Sequence, residues 1–239
     1  MDTDDGGFTG NNDAPNIESA IAGDYDFAVG KVITEAWQKV SGLKGPFWAA
    51  AIIVSVVIFL AGLALSAIAN FLGLLDSSGI GLLIPLLGQL AVMALIYPFM
   101  AGIVMLGVRR SIDLPISYNE IFAYFAYVAP LVVAAILMAI LTILGFMLLV
   151  IPGIYLAVAY MFTVPLIVEK NLSAWEAMET SRKAITRHWF KFALVLITMV
   201  VILFISIIPM GIGLIWTYPM MIAVMGILYR NTFGIEQAA

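Results

Sequence analysis

The sequence predicts an all-α, polytopic membrane protein with six transmembrane helices arranged as three hairpins, accompanied by amphipathic helices at the membrane interface. Two observations carry this prediction. Of the 239 residues, 63% are hydrophobic and 11% are charged, whereas soluble domains carry about 25% charged residues. Long uncharged stretches also alternate with short polar ones, and a bilayer core of about 30 Å requires roughly 20 apolar residues per helix.

The chain begins with an acidic stretch that has no hydrophobic period. Seven of its fifteen acidic residues lie within the first 26 positions. This composition predicts that residues 1–24 are a disordered cytoplasmic tail, and it lacks the basic and apolar regions of a signal peptide. Residues 25–230 then form the membrane domain, and residues 231–239 a short cytoplasmic tail. The absence of cysteine excludes disulfides, thiolate metal sites and cysteine nucleophiles.

The apolar stretches divide into six spans. Residues 125–168 carry no charge, and a single helix of that length would reach about 66 Å, twice the bilayer core. We therefore expect a turn at Ile151-Pro152-Gly153, and a second one at Pro209 within the uncharged residues 192–229. The predicted spans are residues 47–69, 81–108, 126–150 and 152–168, and the two halves of 192–229.

Prolines mark the predicted turns and kinks, because proline removes a backbone donor and is tolerated only in the first turn of a helix. The positions concerned are Pro85, Pro98, Pro152 with Gly153, Pro165, Pro209 and Pro219.

Three shorter segments are predicted to be amphipathic helices at the interface, near residues 25–42, 111–124 and 171–188. In the first, apolar residues recur at helical spacing beside lysines and Trp37, a pattern typical of interfacial helices. Gly42, Gly45 and Pro46 then predict a turn towards the bilayer. In the third, Ser173 with Glu176 predicts a capping box.

The distribution of basic residues predicts the orientation. With six spans, all eleven lysines and arginines fall on the same side of the membrane as both termini. The positive-inside rule makes this side cytoplasmic.

The three hairpins share an order of features that predicts an internal repeat. Each unit has an amphipathic segment containing a glutamate, an apolar helix, an Ile-Pro turn, a second apolar helix and a basic stop. The glutamates are Glu35, Glu120 and Glu176. Apolar helical hairpins also resemble one another without common origin, so the pattern leaves a true triplication open.

The predicted spans contain no ionisable residue, which argues against proton-coupled transport and intramembrane proteolysis. No phosphate-binding loop, nucleophile elbow or zinc motif is present. We therefore predict no catalytic, cofactor or metal site. Gln89 and Tyr160 are the candidates for a polar core. The candidate contacts to anionic lipid headgroups are the basic residues Arg109, Arg110, Arg182, Lys183, Arg187 and Lys191.

Residues 150–192 carry a recognisable motif. Pro152-Gly153-Ile154 opens it, Pro165 precedes Glu169, and the rest follows in the order Glu176-Ala177, Ser181-Arg182 and Trp189. This run resembles a broad group of uncharacterised bacterial integral membrane proteins, similar to the membrane domain fused to some glycerophosphodiester phosphodiesterases. The resemblance implies a membrane module of a bacterial inner membrane. This chain has no phosphodiesterase domain, so no catalytic residue is implied.

These features predict a non-enzymatic module that organises lipids or protein partners at the cytoplasmic leaflet. The alternative is a facilitator or exporter of a hydrophobic or zwitterionic solute, using the helices kinked at Pro98, Pro165 and Pro219. The expected partners are membrane lipids, or another membrane protein, and no nucleic acid. The sequence does not determine the oligomeric state.

Overall fold

The computed structural model describes residues 15–71 and 83–235, and this part of the chain is helical without any β-strand. Two short 3₁₀ helices, Tyr118–Phe122 and Phe125–Tyr127, precede the fourth α-helix. The α-helices are α1 Ile17–Ala22, α2 Val29–Phe71, α3 Leu83–Ser111, α4 Val128–Leu148, α5 Val150–Ala159, α6 Thr163–Glu169, α7 Ala174–Arg187, α8 Trp189–Ile207 and α9 Leu214–Phe233. The all-α prediction is confirmed.

Five helical segments in the described residues are long and apolar enough to cross a membrane, which supports a multi-pass membrane protein. They are Val29–Phe71, Leu87–Ser111, Tyr118–Leu148, Val150–Glu169 and Trp189–Ile207. The sixth predicted span corresponds to α9, which is not among the five. Its apolar run is interrupted by Thr217, Tyr218 and Arg230, and much of its surface is buried by other helices. The count of six spans therefore stays a prediction.

The first helical hairpin differs from the prediction. Instead of an interfacial helix followed by a turn, α2 is one helix of 43 residues that contains Pro46 in its interior. Val32, Ala36, Val40 and Leu43 are buried at helical spacing and continue to the apolar half without a break. This continuous packing stripe stabilises helix across the proline, although proline in a helix interior costs about 3 kcal/mol.

The break between α4 and α5 lies two residues before the predicted turn at Ile151-Pro152-Gly153, and these three residues are helical. Leu149 is extended, with φ −162° and ψ 156°, and separates the two helices. Pro152 lies in the first turn of α5, where its missing N–H has no intrahelical acceptor. Gly153 is helical, and a Cβ there would overlap the ring of Phe146, so this glycine permits close packing of α5 on α4.

The other prolines occupy three kinds of position. Pro165 lies in the first turn of α6, after an interruption that divides the fourth predicted span. Pro209 precedes Met210 and Gly211, both in the left-handed region, in the turn between α8 and α9. Two prolines, Pro98 and Pro219, lie inside α3 and α9, respectively. The backbone of Pro85 belongs to the first turn of α3.

Helices extend into both predicted tails. Residues 1–14 and 236–239 lie outside the described residues, but α1 is a helix packed against α7 and α9. Its first turn carries a capping box between Asn16 and Ser19, and Gly23 ends it with a φ of 91°. These caps stabilise six residues that are too few for a visible hydrophobic period. At the other end α9 continues to Phe233, which is fully buried.

The backbones of α3 and α9 approach each other closely at two glycines, Gly107 and Gly226. A Cβ on Gly226 would overlap the carbonyl of Gly107, and a Cβ on Gly107 would overlap the carbonyl oxygen of Ile222. Small residues allow this kind of backbone approach in membrane bundles.

We expect Gly107→Ala to destabilise the protein by about 1–3 kcal/mol, because the added methyl overlaps backbone that cannot rotate away. The matched control is Gly88→Ala in the same helix, where no atom lies within 4 Å of the new Cβ. That change should be neutral or stabilise by about 0.5–1 kcal/mol. Unfolding by a denaturing detergent measures both, and equal effects would contradict the close contact.

Candidate functional site: the polar end of the bundle

The charged side chains collect where α2 begins and α3 and α9 end. Arg230, near the end of α9, makes a paired contact with Glu35 of α2, with N–O distances of 2.7 and 3.1 Å. The same guanidinium donates a hydrogen bond of 2.5 Å to the carbonyl of Ser111, the last residue of α3. The final carbonyls of a helix have no intrahelical donor, so one arginine joins three helix ends.

A second junction ties the end of α3 to the segment that follows it. Arg109 and Glu120 are 2.9 Å apart, and Glu120 also accepts the N–H of Ser117 in a capping box. Asp113, with a φ of 58°, pairs with Lys39 of α2 at 2.5 Å. The hydrogen bond from the Lys39 ammonium holds the pKa of the Asp113 carboxyl below its usual value.

Helix α7 confirms the predicted capping box. The Ser173 side chain accepts the N–H of Glu176, and the Glu176 carboxylate accepts the N–H of Ser173. The contact with Ser173 lowers the pKa of Glu176. One turn later Glu179 accepts two hydrogen bonds from Arg182, of 2.8 and 2.7 Å, and lies 3.4 Å from Lys183. Arg182 lowers the pKa of Glu179, and the pKa of Arg182 is raised in turn.

The opposite end of α7 anchors the N-terminal helix. Arg187 donates a hydrogen bond of 3.0 Å to the carbonyl of Ile21, and Lys191 pairs with Asp26. The hydroxyl of Tyr25 donates to the carbonyl of Ala184 at 2.8 Å. Burial raises the pKa of Tyr25, and the hydrogen bond from Lys191 lowers the pKa of Asp26.

Ser181 bridges the interruption between α5 and α6. Its hydroxyl is fully buried, donates to the carbonyl of Ala159 at 2.7 Å and accepts the N–H of Phe162 at 3.2 Å. Both backbone groups lie at helix ends, where the helical hydrogen-bond ladder stops. Phe162 fills the space beside the break and makes edge contacts with Phe192, Tyr229 and Phe233.

Sequence reasoning missed a buried charged group. Glu169 and Lys170 have side chains only 8% and 7% exposed, with 3.5 Å between them. The hydroxyl of Tyr229 donates to the Glu169 carboxylate at 2.5 Å. The sequence did contain a signal, because an acid and a base directly follow the long uncharged stretch 125–168. Buried charges are paired or hydrogen-bonded in folded proteins.

The predicted headgroup contacts fall into two groups. Arg182, Lys183, Arg187 and Lys191 lie on α7 and at the start of α8. Arg109 and Arg110 lie at the end of α3, where they pair with Glu120 and Asp113, respectively. Each of the six has an acidic or carbonyl partner within the chain. Among the side chains of α7 that form ion pairs, that of Lys183 is the most exposed, at 49%.

Gln89, a predicted polar-core residue, is exposed on α3 and does not lie in the interior of the bundle. Tyr160 is partly buried and ends α5 at the interruption.

A cavity of about 740 Å³ opens beside the Glu35–Arg230 pair. Its polar lining is Asp26, Lys31, Glu35, Arg230 and Asn231. Within residues 15–71 and 83–235, no three of the His, Asp and Glu side chains come close enough together to hold a metal ion.

Comparison with known proteins adds no identification, since no family model, curated protein or solved structure matches this chain. The resemblance of residues 150–192 to phosphodiesterase membrane domains therefore stays a proposal.

Replacing Ser181 by alanine should destabilise the protein by about 1–3 kcal/mol, because the Ala159 carbonyl and the Phe162 N–H lose their shared partner in a dry environment. Ser55→Ala is the matched control. The Ser55 hydroxyl is exposed and bonds only to the carbonyl of Ala51 in its own helix, so its loss should change stability by less than about 0.5 kcal/mol. Detergent-induced unfolding compares the two, and a Ser181 effect as small as the control would contradict the bridge.

We expect the Asp26–Lys191 pair to contribute to the pH dependence of stability. A carboxyl whose pKa is lowered by folding stabilises the native state above its unfolded pKa of about 3.9, and this contribution is lost as the pH falls through the native pKa. We expect unfolding measured between pH 7 and 3 to show a loss of stability below about pH 4. Asp26→Asn and Lys191→Met should each reduce that loss, and the double variant should reduce it no further. Additive effects would show that the pair is not coupled.

Proposed function

We propose that this protein is a non-enzymatic module of a bacterial inner membrane that organises lipids or protein partners at the cytoplasmic leaflet. Both termini lie on the cytoplasmic side in this proposal, because the basic residues gather at the end of the bundle where α9 finishes. This orientation requires only an even number of crossings. The resemblance of residues 150–192 to membrane domains fused to phosphodiesterases supports the same reading.

The observation that carries the proposal is the presence of exposed aromatic and basic side chains on the same two helices, α2 and α7. Trp37 on α2 and Trp175 on α7 are each more than half exposed. Lys31 on α2 and Lys183 on α7 are also exposed. Tryptophan and lysine together are typical of the interface between headgroups and acyl chains. Lys183 pairs with Glu179 at 3.4 Å but keeps 49% of its side chain exposed, so both lysines are accessible to an anionic headgroup.

The double variant Lys31→Gln with Lys183→Gln tests the lipid contact. Each basic residue near an anionic surface contributes about 1 kcal/mol, so losing two should weaken binding of phosphatidylglycerol on the order of 30-fold. The detergent-purified protein is titrated with phosphatidylglycerol, and binding is measured as the rise in its melting temperature. The same titration with phosphatidylcholine gives the reference affinity.

The matched control is Lys31→Arg with Lys183→Arg, which keeps both charges and should keep the preference. An unchanged preference in the glutamine variant would remove the proposed headgroup contact. If the wild-type protein co-purifies with another protein but shows no lipid preference, the result favours the organisation of protein partners over that of lipids.

Facilitated transport is the second candidate, and the interruption between α5 and α6 favours it. Broken helices supply binding groups in many transporters. Here Ser181 occupies the free backbone groups and Phe162 is fully buried, so passage of a solute requires α7 to move. Uptake of a panel of zwitterionic and apolar solutes into proteoliposomes decides between the candidates.

A further inference from the structure

Helix α2 is longer than a membrane is thick. Its 43 residues extend about 64 Å, and the hydrocarbon core measures about 30 Å. The two halves differ in composition. The first half contains Lys31, Glu35, Lys39 and Lys44, and the half from residue 47 to 71 contains no charge. The apolar half is therefore the crossing segment.

Helix α9 runs antiparallel beside the polar half of α2. The Glu35–Arg230 pair joins them at one end. At the other end the indole N–H of Trp48 donates to the carbonyl of Ile215 at 3.0 Å. These contacts lie about 20 Å apart along α2 and about 22 Å apart along α9, at 1.5 Å per residue, so the helices lie side by side over this length.

The start of α9 is thus fixed at the near edge of the crossing segment. The Lys44 ammonium lies 5.2 Å from the centre of the Trp216 ring, a cation–π contact at the first turn of α9. A hairpin of α8 and α9 that crossed the bilayer would place Trp216 near the far end of α2. That end, at Asn70, is about 39 Å from Lys44 along the helix axis.

The turn between α8 and α9 is apolar, and its side chains are exposed. Ile208 is 79% exposed and Met210 is 96% exposed, and no charge occurs from residue 192 to 229. The outer face of α8 is equally apolar, with Leu194 and Phe204 exposed. Such a surface is stable against acyl chains and unfavourable in water.

We propose that α8 and α9 form a hairpin that enters and leaves the membrane on the side of the basic residues, with its turn in the acyl chains of that leaflet. The hairpin does not cross the bilayer. The exposed apolar surface of the hairpin contacts the lipids of one leaflet only. The protein therefore displaces more acyl-chain volume in that leaflet than in the other. Pro46, at the boundary between the two halves of α2, lies where a bend would let the polar half follow the interface.

Cysteine cross-linking in membranes tests this arrangement, because the chain has no native cysteine. With a short bismaleimide, the pair Lys44→Cys and Trp216→Cys should cross-link, and the control pair Asn70→Cys and Trp216→Cys should not. The reverse result would overturn the proposal, as would a Lys44–Trp216 pair that stays unlinked. The pair Trp48→Cys and Ile215→Cys repeats the test with Trp216 intact.

Sidedness completes the experiment. A membrane-impermeant maleimide should label Lys44→Cys and Asn70→Cys from opposite sides, in inside-out vesicles and in spheroplasts, respectively. Labelling of both from one side would show that the apolar half of α2 does not cross, which overturns the assignment of the hairpin to one leaflet.

Discussion

The contact of Arg230 with Glu35 and with the Ser111 carbonyl fixes where three helices meet. Two further pairs extend this polar end: Lys39 of α2 and Arg109 of α3 pair with Asp113 and Glu120, which follow α3 in the chain. Charge-assisted hydrogen bonds are roughly twice as strong as neutral ones and hold geometry more tightly. The same contact sets the register of α9 against α2. That register decides how far the start of α9 reaches along α2.

The arrangement also bears on the suspected repeat. Arg109 ends the second helix of the first unit and pairs with Glu120 of the second unit, and Arg230 ends the third unit and pairs with Glu35 of the first. Two of the three glutamates therefore receive an arginine from the preceding unit in cyclic order. Glu176 is used instead to cap α7. Because Glu176 does not follow the pattern, the internal repeat stays a prediction.

Sequence reasoning succeeded where one local rule dominates. Pro152 and Pro165 lie in the first turn of a helix and Pro209 in a turn between helices, the positions where proline is tolerated best. Ser173 with Glu176 forms a cap within a single turn. It failed where distant packing decides. Pro46 stays inside α2 because its neighbours are buried along one stripe. In the sequence, Glu169 and Lys170 only mark the end of an uncharged stretch. In the structure, both side chains are buried.

The bridge made by Ser181 has a consequence for the order in which the protein is made. The Ala159 carbonyl and the Phe162 N–H emerge from the ribosome before Ser181, which follows Ala159 by 22 residues. Until α7 docks, the interruption in the fourth apolar segment leaves two backbone groups without a protein partner in an apolar environment, at a cost of several kcal/mol if no water reaches them. Biogenesis must therefore shelter this segment, or keep it continuous, until α7 has been synthesised.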